Sequence, residues 1–290
     1  MSTPIGSSRF VNYEFRPCKQ VVRRMLVDAF LHLMNLGFPI GDYTYVGLGS
    51  IYFVDFILFH KYLGIKNLKS LERDLSVLAR AHFNRPFRCV EVLNQDIAEY
   101  IPLMSHDEKH ILWLDYDDRL SMENLKAIRL ASIQLSPGSF LLVTIDIEPP
   151  DPAKEAKVSD KPDKTDLRSQ SLPEYWRTYF VENAGHFIGG SPDLALFTRA
   201  NLPHLNAAIL LQAIKKELNQ RTNVQFFPLF HFNYADGHNM ALFGGMIGSE
   251  SDGRMLQALD HRRLFFVRTQ EDDLPYKIRV PLVTRKERLY

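Results

Sequence analysis

Tyr43-Thr44-Tyr45-Val46-Gly47-Leu48-Gly49-Ser50, followed one helix later by Leu68-Lys69-Ser70-Leu71-Glu72-Arg73-Asp74, decides the fold. The two tyrosines and Val46 favour an extended strand. Gly47 and Gly49 let the backbone turn tightly beneath a ligand. Between the two stretches, Val54 to Tyr62 is apolar at helical spacing and supplies a crossover helix. Glu72 lies about 25 residues beyond Gly47, near the ~20 that separate glycine turn from ribose-binding acid in nucleotide-binding βαβ units. The pattern is G-x-G-S and lacks the third glycine of a dinucleotide fingerprint. A nucleoside without a pyrophosphate fits it better, and S-adenosylmethionine is the commonest such cofactor on this architecture.

The rest of the chain extends that unit. Residues 17–36 repeat Val22, Leu26, Ala29, Leu33 and Leu36 at helical spacing, with Lys19, Arg23 and Arg24 assigned to other faces and Gly37 as a stop. Residues 75–84 read as a short helix, and 88–93 as a third strand ending in Asn94-Gln95-Asp96. His110 to Asp115 is a nearly all-apolar fourth strand, as a doubly covered parallel strand should be. A helix over 121–135, a Pro137-Gly138 turn and a fifth strand over 139–146 follow. Strands alternating with helices argue a right-handed parallel α/β sheet. Helices are expected over 173–187 and 203–219. Strands over 224–233 and 240–247 flank Asp236-Gly237, a hairpin signal. A parallel sheet closed by an antiparallel hairpin is how class I methyltransferases finish. The expected fold is therefore Rossmann-like, with a mostly parallel seven-stranded sheet and an antiparallel C-terminal hairpin strand. One domain is expected over 1–290, with an N-terminal helical segment at 10–37, a core at 43–250 and an extension at 254–290. Residues 150–171, rich in Pro, Lys and Asp, are expected to be a mobile surface insertion.

Composition bounds the class. At 290 residues, 46% hydrophobic and 12% aromatic, the chain has ample material for a packed core. A net charge of +1 gives no global basic signature for nucleic acid, though a nucleic-acid partner stays open. Two cysteines, Cys18 and Cys89, exclude a disulfide framework or a cysteine zinc site and fit a reducing compartment. With no signal peptide and no apolar run of ~18 residues, a soluble cytoplasmic protein without a membrane segment is expected.

Ligands of doubly wound sheets bind at the carboxyl ends of the strands. Those ends carry Gly47, Gly49 and Ser50 (strand one), Glu72 and Asp74 (two), Asp96 (three), Asp115, Tyr116, Asp117 and Asp118 (four), and Asp146 and Glu148 (five). Asp96 and Asp118 read equally well as caps of the following helices. Neighbouring strand tips stand ~5 Å apart, so Asp115 and Asp146 would repel without a cation, proton or arginine between them. A Mg²⁺ held by Asp115, Asp146 and Glu148 is one solution. Neutralisation by Arg16, Lys19 or Arg119 is the other. The cations from Arg16 to Arg24 read as the solvated side of the first helix, or as a set folding over the cleft or meeting an anionic acceptor. Amino-directed DNA methyltransferases carry N/D-P-P-Y/F after strand four, where Asp115-Tyr116-Asp117 stands here. Neither cysteine follows that strand, which leaves cytosine C5 chemistry without its nucleophile. Ser50 lacks the G-x-S-x-G context and a histidine partner. The pairs His106/His110 and His231/His238 lack a third metal ligand in sequence.

The segments YVGLGSIYFVDFILFHKYLGI, LKSLERD, HILWLDYDDRL and PGSFLLVTIDIEP together resemble a bacterial family of O-methyltransferases often found beside mobile or antiviral-defence genes. The resemblance spans roughly residues 10 to 150, with weaker support through the hairpin and the PYKIRVPLVTRKE tail. It implies that Gly47, Gly49, Glu72 and Asp96 contact S-adenosylmethionine and that Asp115 lies under its sulfonium end. Ser50 and Asp74 join the cofactor set from their places at the strand tips. Asp115, Tyr116 or Asp117 would orient or deprotonate an oxygen acceptor, whose identity the family does not supply. The acids at the tips of strands four and five also resemble metal-dependent catechol-type O-methyltransferases, without the Asn that follows the strand-five acid there. The competing class is a non-catalytic module of the same fold that binds a nucleotide or docks a partner in a multi-protein defence system.

The C-terminus points to a partner. Residues 276–283 alternate like a strand that Pro281 confines to an edge, and Thr284-Arg285-Lys286-Glu287 reads as a capping box with only three residues after it. So short a helix needs a packed neighbour, and an edge strand is a template for a second chain; a homo-oligomer or a protein partner is expected through this segment.

Overall fold

Thr44–Leu48 (β1), Asn67–Leu71 (β2), Val90–Leu93 (β3), His110–Arg119 (β4), Ser139–Asp146 (β5), Gln225–Ala235 (β6), Asn239–Gly248 (β7) and Tyr276–Lys277 (β8) hydrogen-bond into one sheet, ordered β3-β2-β1-β4-β5-β7-β6-β8. The computed structural model describes residues 16–48, 51–152, 171–188 and 192–281. The β3-β2-β1-β4-β5 ladders are all parallel, and β7 runs antiparallel to both β5 and β6. This is the Rossmann-like methyltransferase topology: helices connect β1 to β2, β2 to β3 and β4 to β5, and a hairpin joins β6 to β7. Gly237, at φ 94°, makes the hairpin turn where a side chain would be strained.

The sheet has one strand more than the seven expected. Tyr276–Lys277 pairs parallel with Phe232 and Asn233 at the outer edge, and Ile278 N–H donates to the Asn233 carbonyl (2.8 Å). The strand is much shorter than the predicted 276–283, and the Thr284–Glu287 capping box lies outside the described residues. So do residues 153–170 of the expected insertion.

Helices cover both faces. Pro17–Asn35 (α1) and Val54–Leu63 (α2) pack on one face, where Phe30, Phe59, Trp113, Phe140 and Phe230 form an aromatic core. Phe30 meets Phe59, Phe140 and Phe230 edge-on, the arrangement that ring quadrupoles favour. Leu75–Asn84 (α3) adds Ala81 to this face. Met122–Gln134 (α5), Leu172–Ala184 (α6) and Leu202–Leu218 (α7) cover the other, through Ile128, Phe180 and Ile209 against Leu112, Leu114 and Leu141. Consecutive residues of one strand, Trp113 and Leu114, thus enter different cores, as a two-residue period requires. The short helices Ile97–Tyr100 (α4) and Glu250–Leu256 (α8) complete the set among the described residues.

Two departures from the sequence expectation shape the site. β4 runs to Arg119, past the Asp115 at which its apolar run ends, and its register shifts between these residues: Asp115 pairs with Thr144 but Arg119 with Asp146. The bulge pushes Asp117 and Asp118 out to solvent. Second, Lys19 and Arg23 do not lie on a solvated face of α1; they are 4% and 3% exposed, while Arg24 is exposed. Four residues apart, they share the stripe that carries Val22 and Leu26. The N-terminus of α1 has no acid in its first turn. Asp236, in the β6–β7 turn, supplies the cap instead: its carboxylate accepts from the N–H groups of Cys18 (3.0 Å) and Lys19 (2.7 Å).

Candidate active site at the strand tips

A cavity of about 590 Å³ opens at the carboxyl ends of β1 to β5. It is lined by Glu72, Asp74, Asp96, Asp115, Tyr116, Asp117 and Asp146, so seven of the sequence-selected residues meet in one place. Gly49 and Ser50 lie outside the described residues. Gly47 is in β1, and its missing side chain has a packing cause: a Cβ there would stand 2.7 Å from the Tyr45 hydroxyl oxygen and 3.2 Å from Phe56 Cζ. Glu148 is in an adjoining recess with Arg119, Arg199 and Asn239.

At the β2–β3 end the acids are held by the backbone. Glu72 Oε1 accepts from Asp74 N–H (2.8 Å), and burial pushes its carboxyl above the usual range. Asp74 caps α3 by accepting from Ser76 N–H (2.8 Å). Asp96 caps α4 by accepting from Ala98 N–H (2.8 Å) and faces Arg73 at 3.7 Å while still lining the cavity. Asp118 is no cap; Ser121 begins α5.

The β1–β4 end is a cluster of buried charge. Lys19 Nζ donates to Asp115 Oδ1 (2.5 Å), Tyr234 Oη (3.1 Å) and Thr144 Oγ1 (3.4 Å), and lies 4.8 Å over the Trp113 ring. Burial lowers the lysine's pKa, opposed by Asp115. Lys19 thus answers Asp115, while Arg119 stands beside Asp146 in the β-ladder. Asp146 itself accepts from Glu148 N–H (2.7 Å), and burial raises its pKa against the lowering effect of Arg119. Tyr45 donates to Asp55, and burial raises both groups. Arg23 lowers Asp55 by charge, yet its own Nε and Nη1 are buried without a hydrogen-bond partner. The Tyr116 hydroxyl is also buried and unpartnered, and burial keeps it protonated well beyond neutral pH.

Asp55 is the site member that sequence reasoning passed over, and Arg23 entered it only within the set of cations from Arg16 to Arg24; Lys19 is among the cations expected to neutralise Asp115, and it does so. The signal was present: two cations four residues apart inside an apolar stripe, and an acid in the first turn of the crossover helix. Among the described residues, no group of three or more His, Cys, Asp and Glu side chains stands placed to hold a metal ion. Glu148 Oε1 accepts from Asn239 N–H (3.2 Å). Among the described residues no helix is long and apolar enough to cross a membrane.

No curated protein matches the chain. Among solved structures it is similar to Trm1 from Pyrococcus horikoshii in complex with S-adenosyl-L-methionine (13% identity, 85% of this chain and 59% of that chain, TM-score 0.49). It is also similar to the N-methyltransferase NodS from Bradyrhizobium japonicum WM9 (10% identity, 81% and 99%, TM-score 0.39) and to a fibrillarin/Nop5p complex (8%, 71% and 73%, TM-score 0.38). This chain spans less than two thirds of Trm1, and at such identities and TM-scores the likenesses say nothing of the reaction. The family match is different in kind, because it runs from residue 11 to residue 290: the chain belongs to the family described as "Putative O-methyltransferase".

Proposed function

We propose that the cavity binds S-adenosylmethionine and that the protein transfers its methyl group to an oxygen acceptor. The observation that carries this reading is the convergence of Glu72, Asp96 and Asp115 on one cavity, on a sheet of this topology, in a chain of this family. The residues fit the cofactor. The cavity is large enough for a nucleoside with an amino-acid tail, and it contains buried polar atoms that the protein leaves unpartnered. Glu72 would accept the ribose hydroxyls, Asp96 and its neighbouring N–H groups would face the adenine edge, and Asp74 would hold the turn that orients Glu72. Asp115, fixed by Lys19, would lie under the sulfonium.

When bound, the cofactor supplies an electrophilic methyl group on a sulfonium, and this chain's residues do the rest. Positioning alone contributes ~7–11 kcal/mol when reacting atoms are held near 3–3.5 Å. Tyr116, a neutral hydroxyl without a partner, is suited to orient an acceptor oxygen. Asp117, exposed by the β4 bulge, is suited to take its proton. Asp115, in its pair with Lys19, is the steady charge of the three rather than the mobile base.

Methyl-labelled S-adenosylmethionine, incubated with the protein and cell extract, tests the transfer. Label should pass to an acceptor with the wild type and fall at least about a hundredfold with Asp117→Asn. Full turnover by both Asp115→Asn and Asp117→Asn removes their assigned roles. Binding without any transfer leaves the non-catalytic module as the reading. Self-association through the C-terminal edge also stays a proposal: β8 is the last strand of the sheet, with one side unpaired among the described residues. Light scattering at tens of micromolar should show more than a monomer.

A further inference from the structure

Residues 60–89 carry seven lysines and arginines against two acids, Glu72 and Asp74, and both acids line the strand-tip cavity. In a chain whose net charge is +1, that is a strong local excess. Among the described residues, Lys69 and Arg73 face acids, Glu91 at 3.8 Å and Asp96 at 3.7 Å. Lys61, Lys66, Arg80, Arg85 and Arg88 are exposed and form no such pair there. The fold gathers these five at the end of the sheet opposite the cavity. Lys66 precedes β2 and Arg88 precedes β3, and the two strands run side by side from Leu68 and Val90. Leu68 N–H donates to the Cys89 carbonyl (3.4 Å). The His60 ring lies 4.4 Å from that of Phe87, which brings the C-terminal end of α2, with Lys61, to the same corner. Arg80 is near the end of α3, and Arg85 follows its last residue. Arg24 of α1 adds a sixth cation, 4.9 Å over the ring of Tyr62.

An aromatic ring stands among these charges. Phe83, 89% exposed, follows Arg80 by three residues on α3, so the two side chains are neighbours on the helix surface. Cations clustered without acids repel one another and attract a polyanion. We propose that this surface binds single-stranded nucleic acid, with the cations on its phosphates and the Phe83 ring beneath a base. Every base has a π-face, so one bared ring suffices for stacking. A duplex keeps its bases stacked on each other and has no face to give that ring. A membrane surface would need a broad apolar face beside the cations; the side chains beside them, Phe83 and Tyr62, are single rings instead. The surface is at the far end of the sheet from the donor cavity, so this inference goes beyond the proposed methyl transfer and does not rest on it.

Fluorescence anisotropy of labelled oligo(dT) and oligo(U), about 16 nucleotides long, tests this on the full chain. Wild type should bind at least one of them, with the logarithm of affinity falling against the logarithm of salt by about 0.7 per phosphate contacted. The triple variant Arg80→Gln, Arg85→Gln, Arg88→Gln should bind at least about tenfold more weakly and flatten that slope by about 2. Phe83→Ala should weaken binding about five- to hundredfold and leave the slope unchanged. All four side chains are exposed, so thermal midpoints should match the wild type. Should the triple variant melt early, Arg85→Gln alone should still flatten the slope by about 0.7. No binding of either oligonucleotide by about 100 µM wild type at about 50 mM salt overturns the inference. Undiminished binding by the arginine variants does the same, as does a duplex bound as tightly as the single strands with Phe83→Ala without effect. Binding of phosphatidylserine vesicles but of neither oligonucleotide would assign the surface to a membrane and equally overturn it.

Discussion

At the β2–β3 end of the cavity, Glu72 and Asp96 come from strand tips and take N–H groups a residue or two away; at the β1–β4 end, Lys19 and Arg23 come from a helix far away in sequence and enter a buried cluster with Asp55 and Asp115. The first arrangement is local. Each acid satisfies nearby backbone while still lining the cavity, so losing one costs little of the fold. The second is tertiary. Each charge there depends on a partner from another element, so the same groups that line the cavity also hold α1 on the sheet.

The largest effect should come from breaking the tertiary end. Asp115→Leu strands Lys19 as a buried cation and should cost about 3 kcal/mol in urea unfolding. Adding Lys19→Met should restore most of it. If the single variant is neutral, the two ends do not differ as described. Next is Gly47→Ala, which forces a methyl against Tyr45 and Phe56 and should cost about 2 kcal/mol. Ser70→Ala, at the same level of the neighbouring strand, removes a buried hydroxyl without a partner. It should be neutral or stabilising by up to about 1 kcal/mol. Asp236→Ala removes the cap that seats α1 and should cost about 1 kcal/mol, read as a shift in thermal midpoint.

A pH series separates the ends further. Burial raises Glu72 above its ordinary 4.5, and its carboxylate is the form that accepts ribose hydroxyls. S-adenosylhomocysteine should therefore bind fully above the raised value and more weakly as pH falls through it; Glu72→Gln should flatten that dependence. The apoprotein runs the other way. A carboxyl raised by folding contributes stability that is fully present below 4.5 and is lost as pH rises through the folded value. Identical pH profiles for wild type and Glu72→Gln would count against Glu72 as the ribose acid.

The same contrast explains what could be read in advance. Alternation of apolar strands and helices, the hairpin at Asp236-Gly237 and the acids at the strand tips are local patterns, and the sheet order follows from them. The bulge after Asp115 left no local mark, because whether a strand continues past its apolar run depends on what its neighbour offers. The two-residue β8 is set in the same way, by contacts with Asn233. Lys19 and Arg23 were visible as cations, but the aromatic ring of Trp113 and the carboxylate of Asp115 that draw Lys19 inward lie far along the chain. Their charge reads as a solvated helix face or a set over the cleft, and only those distant partners fix the buried position.

Calorimetric titration of S-adenosylmethionine into wild type and Glu72→Ala tests the central claim most directly. Wild type should bind one equivalent, and the variant should bind about ten- to hundredfold more weakly with its unfolding midpoint nearly unchanged. No heat from wild type across a millimolar titration, or equal affinity in the two proteins, would contradict a donor site at these strand tips.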